Sequence, residues 1–306
     1  MKNIFCIGET VLDIIFTDKV PIGAKPGGSM LNTSVSLGRA GLQPILISDF
    51  GQDAAGDLIH DALRENGVDI RYVDRFTEGK TAISLAFLDE NGNATYTFYR
   101  QFPDKRLTIR FPEAKKGDIV LFGSFYSIDH DVRQPLWKFL LKAKQKGAFL
   151  LYDPNFRKPH IKQLPQFSPW IMENISLAEI TRGSAEDFLH IFDVPDAVSA
   201  YKEIIDHGGN TLIYTKSKEG VEVLTDELHL HFPAPEIAPV STIGAGDAFN
   251  AGLIYSLFHL PGETRIPASE QVWKKIITTA VEFSTNVCLN VDNYISTNFL
   301  QKLDDA

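Results

Sequence analysis

The stretch Ser241-Thr242-Ile243-Gly244-Ala245-Gly246-Asp247-Ala248-Phe249 decides how the rest of the chain is read. Two glycines flank one alanine, and a carboxylate then opens a helical run of small and apolar residues reaching Phe258. Consecutive backbone N–H groups at a helix start favour an anion, and glycine lets a phosphate come close to the backbone. An acid directly after such a nest would repel a phosphate that is merely bound. It makes chemical sense if the acid faces a hydroxyl that attacks the phosphate, taking its proton as the bond forms. The bland alternative is an Asp favoured by the helix dipole after a flexible turn. Taken alone, this stretch allows both.

A second glycine-bearing segment lies near the N-terminus. Gly8-Glu9-Thr10 leads to Asp13, and Gly27-Gly28-Ser29-Met30-Leu31-Asn32 opens the first helix. A polyhydroxylated ligand needs a carboxylate that accepts from hydroxyls and a carboxamide that both accepts and donates. Glycines there would keep Cβ atoms out of the ligand's path. The structural alternative is a turn whose Asn32 caps its own helix.

Outward from these two segments the chain alternates. Residues 3–8, 44–50, 118–125, 148–153 and 211–215 read as strands, the first as a buried run ending at Gly8. Residues 30–40, 53–65, 131–146, 196–207, 246–258 and 269–286 carry helical periodicity. Such alternation with short connections predicts a parallel sheet covered by helices. Between Lys80 and Arg100 the period changes to two, with Ile83, Leu85, Phe87, Tyr96 and Phe98 around an Asn91-Gly92 turn. A hairpin there is most simply a flap beside the main sheet, to which residues 10–26 could add strands. Residues 221–225 and 228–232 read as a second hairpin.

The 306 residues are 44% hydrophobic and 23% charged, which excludes general disorder. With 30 basic against 39 acidic residues the formal charge is −9. That balance argues against a dedicated nucleic-acid or anionic-membrane protein. No apolar run approaches the roughly 18 residues of a membrane span. Glu9 and Asp13 break the apolar start that a signal peptide would need. Cys6 and Cys288 make no disulfide framework and sit among apolar neighbours. The Asn-x-Ser/Thr triplets at Asn32, Asn93 and Asn174 are then chance matches, and a cytoplasmic enzyme is expected.

Taken together these segments resemble the ribokinase, or PfkB, family of carbohydrate kinases across essentially the whole chain. The resemblance rests on GET-x-x-D at Gly8 to Asp13, GG-x-x-x-N at Gly27 to Asn32, and GAGDAF at Gly244 to Phe249. FGQDAAGD (50–57) is similar to the family's G-x-D-x-x-G element, and Asp153-Pro154-Asn155-Phe156-Arg157 looks like the DPN-x-R of its fructokinase branch. It implies one α/β domain over 1–306, a three-layer α/β/α sandwich with a mostly parallel central sheet. A small β-sheet lid would form from about 10–28 and 78–110.

By the same resemblance Asp247 would be the catalytic base, and the N–H groups of Gly244, Ala245 and Gly246 the anion hole. Asp13, Gly27, Gly28 and Asn32 would hold the sugar, with Arg100, Asn155 and Arg157 nearby. Thr215, Ser217, Gly220 and Thr242, with Gly244 and Gly246, would face the nucleotide. The implied cofactors are ATP and Mg2+, with Asp187 the best match to a magnesium-positioning acid. Ser241 stands where the family usually places the Asp of a monovalent-cation site, which leaves dependence on K+ open. Ser217 likewise replaces the glycine of the family's T-x-G.

The implied partners are a small-molecule sugar and ATP, with a homodimer through the lid, no nucleic acid and no membrane. Thr97-Phe98-Tyr99-Arg100 together with 153–157 looks most like fructokinases. Arg100 keeps 2-keto-3-deoxygluconate kinase open, ribokinase and a nucleoside kinase share the motifs, and a non-catalytic sugar sensor is the reading from another class. There is no GxGxxG after the first strand and no GxxxxGK[ST], which lowers the dehydrogenase and Walker-type readings. His229-x-His231 could share a strand face, but no Cys or acidic cluster accompanies the pair.

Overall fold

Short apolar runs become strands buried along their whole length, as strands covered on both faces must be. The computed structural model describes residues 2–88, 94–156, 158–264 and 266–300. In chain order they form β1 (Ile4–Ile7), β2 (Val11–Thr17), β3 (Val20–Gly27), α1 (Ser29–Arg39), β4 (Ile45–Gly51), α2 (Ala54–Glu65) and β5 (Asp69–Phe76). Then come β6 (Lys80–Leu88), β7 (Ala94–Gln101), β8 (Ile119–Gly123), α3 (His130–Gln145), β9 (Phe149–Asp153), α4 (Leu164–Leu177), β10 (Ile180–Ser184) and α5 (Ala185–Phe192). The remainder is α6 (Ala197–Asp206), β11 (Leu212–Thr215), β12 (Val221–Leu224), β13 (His229–Phe232), α7 (Ala245–His259) and α8 (Glu270–Cys288).

The chain divides into two compact units. One comprises Met1–Ile4, Glu113–Glu236 and Ser256–Thr279; the other Phe5–Pro112, Ile237–Tyr255 and Ala280–Ala306. In the first, β8, β9, β10 and β11 run parallel, and β12 and β13 continue antiparallel. In the second, β1, β4 and β5 run parallel. These are the nine strands of the large, mostly parallel sheet.

The second unit also holds a separate four-stranded sheet in the order β3-β2-β6-β7. Two of its strands lie between Lys80 and Gln101, where the period changes to two, and two lie between Val11 and Gly27, the stretch that could add strands to that hairpin. β2 pairs antiparallel with β3 and parallel with β6, and β6 pairs antiparallel with β7. The Asn91-Gly92 turn lies outside the described residues.

Asp53 shows why FGQDAAGD recurs as a unit. It caps α2 by accepting the Gly56 N–H at 2.9 Å, and takes Thr81 N and Oγ1 from β6 at 2.9 and 2.7 Å. A Cβ on Gly56 would lie 2.1 Å from the Gly51 carbonyl oxygen, so only glycine fits there. The motif is a fastening between helix and strands.

Four elements escape the periodicity reading: β5, α4, β10 and α5. β5 carries Asp69, Arg71, Asp74 and Arg75 among its eight residues, and α4 has Pro165 in its first turn and Pro169 inside. β10 buries Arg182, which the pattern scores as polar. Its charge is met by Asp153 Oδ2 at 2.9 Å. Both cysteines are buried and free, and burial pushes the Cys6 thiol up to about 12, which makes it inert. Among the described residues no helix is long and apolar enough to cross a membrane.

In the second unit Arg106 and Asp49 form an ion pair with neither side chain exposed, Nε to Oδ2 at 2.7 Å and Nη2 to Oδ1 at 2.9 Å. Removing one partner strands a buried charge. Arg106→Met should therefore lower unfolding free energy by about 3–5 kcal/mol, read from urea denaturation.

Candidate functional site

Two helix starts converge on one carboxylate. Ser29, the first residue of α1, donates from Oγ to Asp247 Oδ1 at 2.6 Å, and Asn32 Nδ2 donates to Asp247 Oδ2 at 2.8 Å. Thr33 Oγ1 adds a bond to the Asp247 carbonyl at 3.0 Å. Asp247 itself stands in the first turn of α7. The two glycine-bearing segments thus meet, although 218 residues separate Ser29 from Asp247. Asn32 does not cap its own helix: Gly28 is the N-cap and makes no side-chain bond. The Asn32 Oδ1 is buried without a partner, a strong acceptor that costs free energy until a donor reaches it.

Ahead of Asp247 the backbone turns through Gly244, at φ +80°, where a Cβ would sit 2.3 Å from the Asn293 carbonyl oxygen. The Ala248 N–H closes the first helical bond on Gly244 O at 2.8 Å. Ala245 N donates to Thr242 O at 3.3 Å, while Gly244 N and Gly246 N donate to no backbone carbonyl among the described residues. The nest expected of three amides therefore offers two outright, and a third loosely committed. Ser241 Oγ accepts the Ile243 N–H at 3.2 Å, so this hydroxyl holds the loop.

Asp13 in β2 is buried, and accepts from Ser84 Oγ on the neighbouring β6. Burial, partly offset by Ser84 and reinforced by the charge of Asp247, pushes its pKa up to about 6. Gly27 is glycine because a Cβ there would lie 2.0 Å from Asp13 Oδ2. Gly28, at φ +118°, would put one 2.3 Å from the Glu9 carbonyl oxygen. The space these glycines vacate is filled by Asp13 and the Glu9 backbone, so both are required by packing within the protein itself. On β7, Arg100 makes a two-pronged pair with Glu9, Nε to Oε1 at 2.8 Å and Nη2 to Oε2 at 2.9 Å. Its guanidinium also lies 4.4 Å over the Phe98 ring.

The first unit has its own cluster, at the carboxyl ends of β9, β10 and β11, where parallel sheets place ligands. Arg182 bonds Asp153 at 2.9 Å and Thr215 Oγ1 at 3.0 Å, and Thr215 Oγ1 reaches Gly183 O at 3.3 Å. Asn155, at φ +39°, donates from its backbone N to Asp153 Oδ1 and from Nδ2 to Ser124 Oγ. Asp187 takes both Ser184 N and Ser184 Oγ in a capping box at the start of α5, and also Phe156 N at 2.7 Å. Burial, then the Asp153 charge, raises its pKa. Ser217 follows β11 in a left-handed conformation, and Gly220 is pressed against Phe232 O. Arg157 lies outside the described residues. His229 and His231 bond Glu222 and the Glu219 carbonyl, and among the described residues no three His, Cys, Asp or Glu gather to hold a metal ion.

Sequence reasoning missed Ser29, Ser84, Glu9 and Arg182. Ser29 had a signal: in an amphipathic helix the first residue and the fourth share a face, so the residue beside Gly28 points where Asn32 points.

Residues 1–289 match the family described as pfkB family carbohydrate kinase. An aminoimidazole riboside kinase of Salmonella typhimurium is 25% identical over 260 residues, covering 84% of this chain and 81% of that protein. A fructokinase of Rhizobium leguminosarum bv. trifolii is 28% identical over 265 residues, covering 83% and 79%. Among solved structures, a double-mutant fructokinase from Vibrio cholerae O395 with fructose, ADP and a potassium ion bound has TM-score 0.86 at 18% identity, over 98% of both chains. At that identity the likeness speaks for the fold, a ribokinase-like three-layer α/β/α sandwich.

The lifted pKa of Asp13 has a sign. Its folded value, about 6, exceeds the ordinary 3.8, so its share of stability is full below about pH 4 and lost as pH rises through 6. Between about pH 4 and pH 8 the native protein should lose on the order of 3 kcal/mol that Asp13→Asn keeps. Urea denaturation at the two pH values measures it, and equal slopes for both proteins would refute the assignment.

Proposed function

Because the chain belongs to the pfkB family of carbohydrate kinases and so transfers a phosphoryl group to a sugar hydroxyl, we propose that ATP is the donor and fructose the acceptor. The observation that carries this reading is the Asp247 carboxylate held by Ser29 and Asn32 beside two uncommitted amides. A carboxylate so fixed can accept from a substrate hydroxyl along a lone pair that Ser29 and Asn32 do not use.

In the proposed reaction the sugar hydroxyl donates to Asp247 while its oxygen attacks the γ-phosphorus in line. The bond from that phosphorus to the ADP oxygen breaks, and the hydroxyl proton passes to Asp247 late in the step. In a loose transition state little proton transfer is needed early, so Asp247 contributes largely by orientation. The amides of Gly244 and Gly246, with Ala245 giving up its long bond to Thr242, stabilise charge on the transferring group. Asp13 and Asn32 hold the sugar's other hydroxyls, and the orphaned Asn32 Oδ1 supplies a ready acceptor for one of them. We assign Asn155 and Arg157 to the substrate side, and Thr215, Ser217, Gly220 and Thr242 to the nucleotide.

Magnesium would shield the nucleotide's phosphates. Asp187 is already committed to Ser184 and Phe156, so the ion's ligands would be mainly phosphate oxygens. The four-stranded sheet is proposed as a lid that excludes water from the reacting groups, within a single functional domain. Val20, Ile22 and Tyr99 are exposed on it and suit a homodimer with a second lid. Catalysis without K+ fits Ser241, whose hydroxyl already serves the loop.

A second reading has its own support. Tyr96 and Phe98 stack, with centroids 6.0 Å apart, on the β7 strand and stay exposed. A flat aglycone could lie against them, as in a riboside, and the 25%-identical riboside kinase points the same way. Turnover with a panel of fructose, ribose, 2-keto-3-deoxygluconate and ribosides decides, and no turnover of any would favour the sensor.

Asp247→Asn should cut kcat by on the order of 10²- to 10⁴-fold with sugar binding retained. Near-normal turnover in that variant would remove the assigned role. Ser29→Ala should lower kcat by roughly 3- to 10-fold, the worth of one hydrogen bond, with KM for the sugar nearly unchanged.

A further inference from the structure

Arg100 is the one cation of β7, and its surroundings define what it can recognise. Strand residues two apart share a face, and residues directly opposite across a ladder share one too. Phe98 stands opposite Ser84, and Ser84 stands beside Asp13, to which its hydroxyl donates. Arg100 therefore lies on the Asp13 side of the small sheet. Glu9 belongs to the same corner, since its carbonyl fills the space over Gly28, the residue before Ser29.

The guanidinium has few options left. One edge is taken by both Glu9 oxygens, at 2.8 and 2.9 Å, and one face by the Phe98 ring at 4.4 Å. Both side chains are partly buried, 28% and 16% exposed, so solvent screens the pair only in part. An arginine beside a sugar site would ordinarily invite a carboxylate, through a two-pronged bond of the kind Glu9 makes. Here an incoming anion meets a pair that is already neutral, with Glu9 repelling it. A hydroxyl, by contrast, can still accept from the N–H groups of Nη1, which Glu9 does not use.

Resting on the sugar-kinase reading above, we propose that Glu9 is a specificity-determining residue: a built-in carboxylate that occupies Arg100, admits uncharged sugars and rejects sugar acids. Identity of the sugar is thus set partly by a side chain that need not touch it. The device is reversible by chemistry, because removing one negative charge from Glu9 without changing its shape returns Arg100 to anion binding.

The test uses Glu9→Gln in the full chain, with Glu9→Ala as a second version and thermal melts to show that each folds. D-gluconate binding is measured by calorimetry, and kcat/KM is measured for fructose and for 2-keto-3-deoxygluconate. Both variants should bind gluconate about 10- to 100-fold more tightly than the native protein, the range of a charge-assisted bond gained. The acid-over-fructose ratio of kcat/KM should rise by a similar factor. Adding Arg100→Gln to either variant should erase the gain. Unchanged gluconate binding in the folded variants, or a gain that survives without Arg100, overturns the proposal. The binding arm needs no turnover, so native protein inert toward fructose would count against the kinase substrate and leave the Glu9 result to be read by itself.

Discussion

Everything at the candidate site depends on two hydrogen bonds that α1 gives away. A helix start ordinarily spends its first polar side chains on its own unsatisfied N–H groups. In α1 the N-cap is Gly28, which has no side chain to spend, and Ser29 and Asn32 serve Asp247 on α7 instead. The carboxylate then stands at the positive ends of two helices, which stabilises its charge and fixes its direction. An acid free to rotate would be a poor partner for a single hydroxyl. Ser29 and Asn32 pin this one and so narrow the directions from which a hydroxyl can reach it.

The glycines turn out to be packing residues that enable this arrangement. Gly27 makes room for Asp13, Gly28 for the Glu9 carbonyl, and Gly244 for the carbonyl of Asn293. Each removes a Cβ so that a polar group of the protein can come close. Close packing carries a cost, visible in Asp13, whose carboxylate is lifted toward neutrality by burial and by Asp247. In the proposed reaction both carboxylates serve as acceptors for sugar hydroxyls.

Much of this was legible in the residues. Alternating apolar and helix-periodic runs predicted a parallel sheet with helices, and the shift to period two at Lys80 set the small sheet apart. Asp247 and Asn32 stood out because an acid after GAG and an amide after GG are chemically pointed. Ser29 and Ser84 did not, since serine beside glycine reads as turn chemistry, and only tertiary contact reveals the acceptor. Arg182 was hidden for the opposite reason: a charged residue in a strand of five looks like a surface, and its burial is matched by Asp153, 29 residues earlier at the end of the neighbouring β9. Asp187 looked like a metal-positioning acid and is, in its local geometry, half of a capping box. Glu9 could not have been paired with Arg100 from spacing, because 91 residues and a sheet register lie between them.

The unit that carries Asp247 is stitched from three separate stretches of polypeptide, with more than a hundred residues of the other unit between its first and second. During synthesis, Ser29 and Asn32 leave the ribosome long before the residue they hold. At translation speeds of roughly 5–20 residues per second, 218 intervening residues amount to about 10–40 seconds of waiting. Through that interval the nascent N-terminal segment carries an amide and a hydroxyl whose eventual acceptor has not yet been made. Ser29 and Asn32 thus gain their acceptor only when the second stretch of the unit emerges, with the third stretch, from Ala280 onward, still to be made.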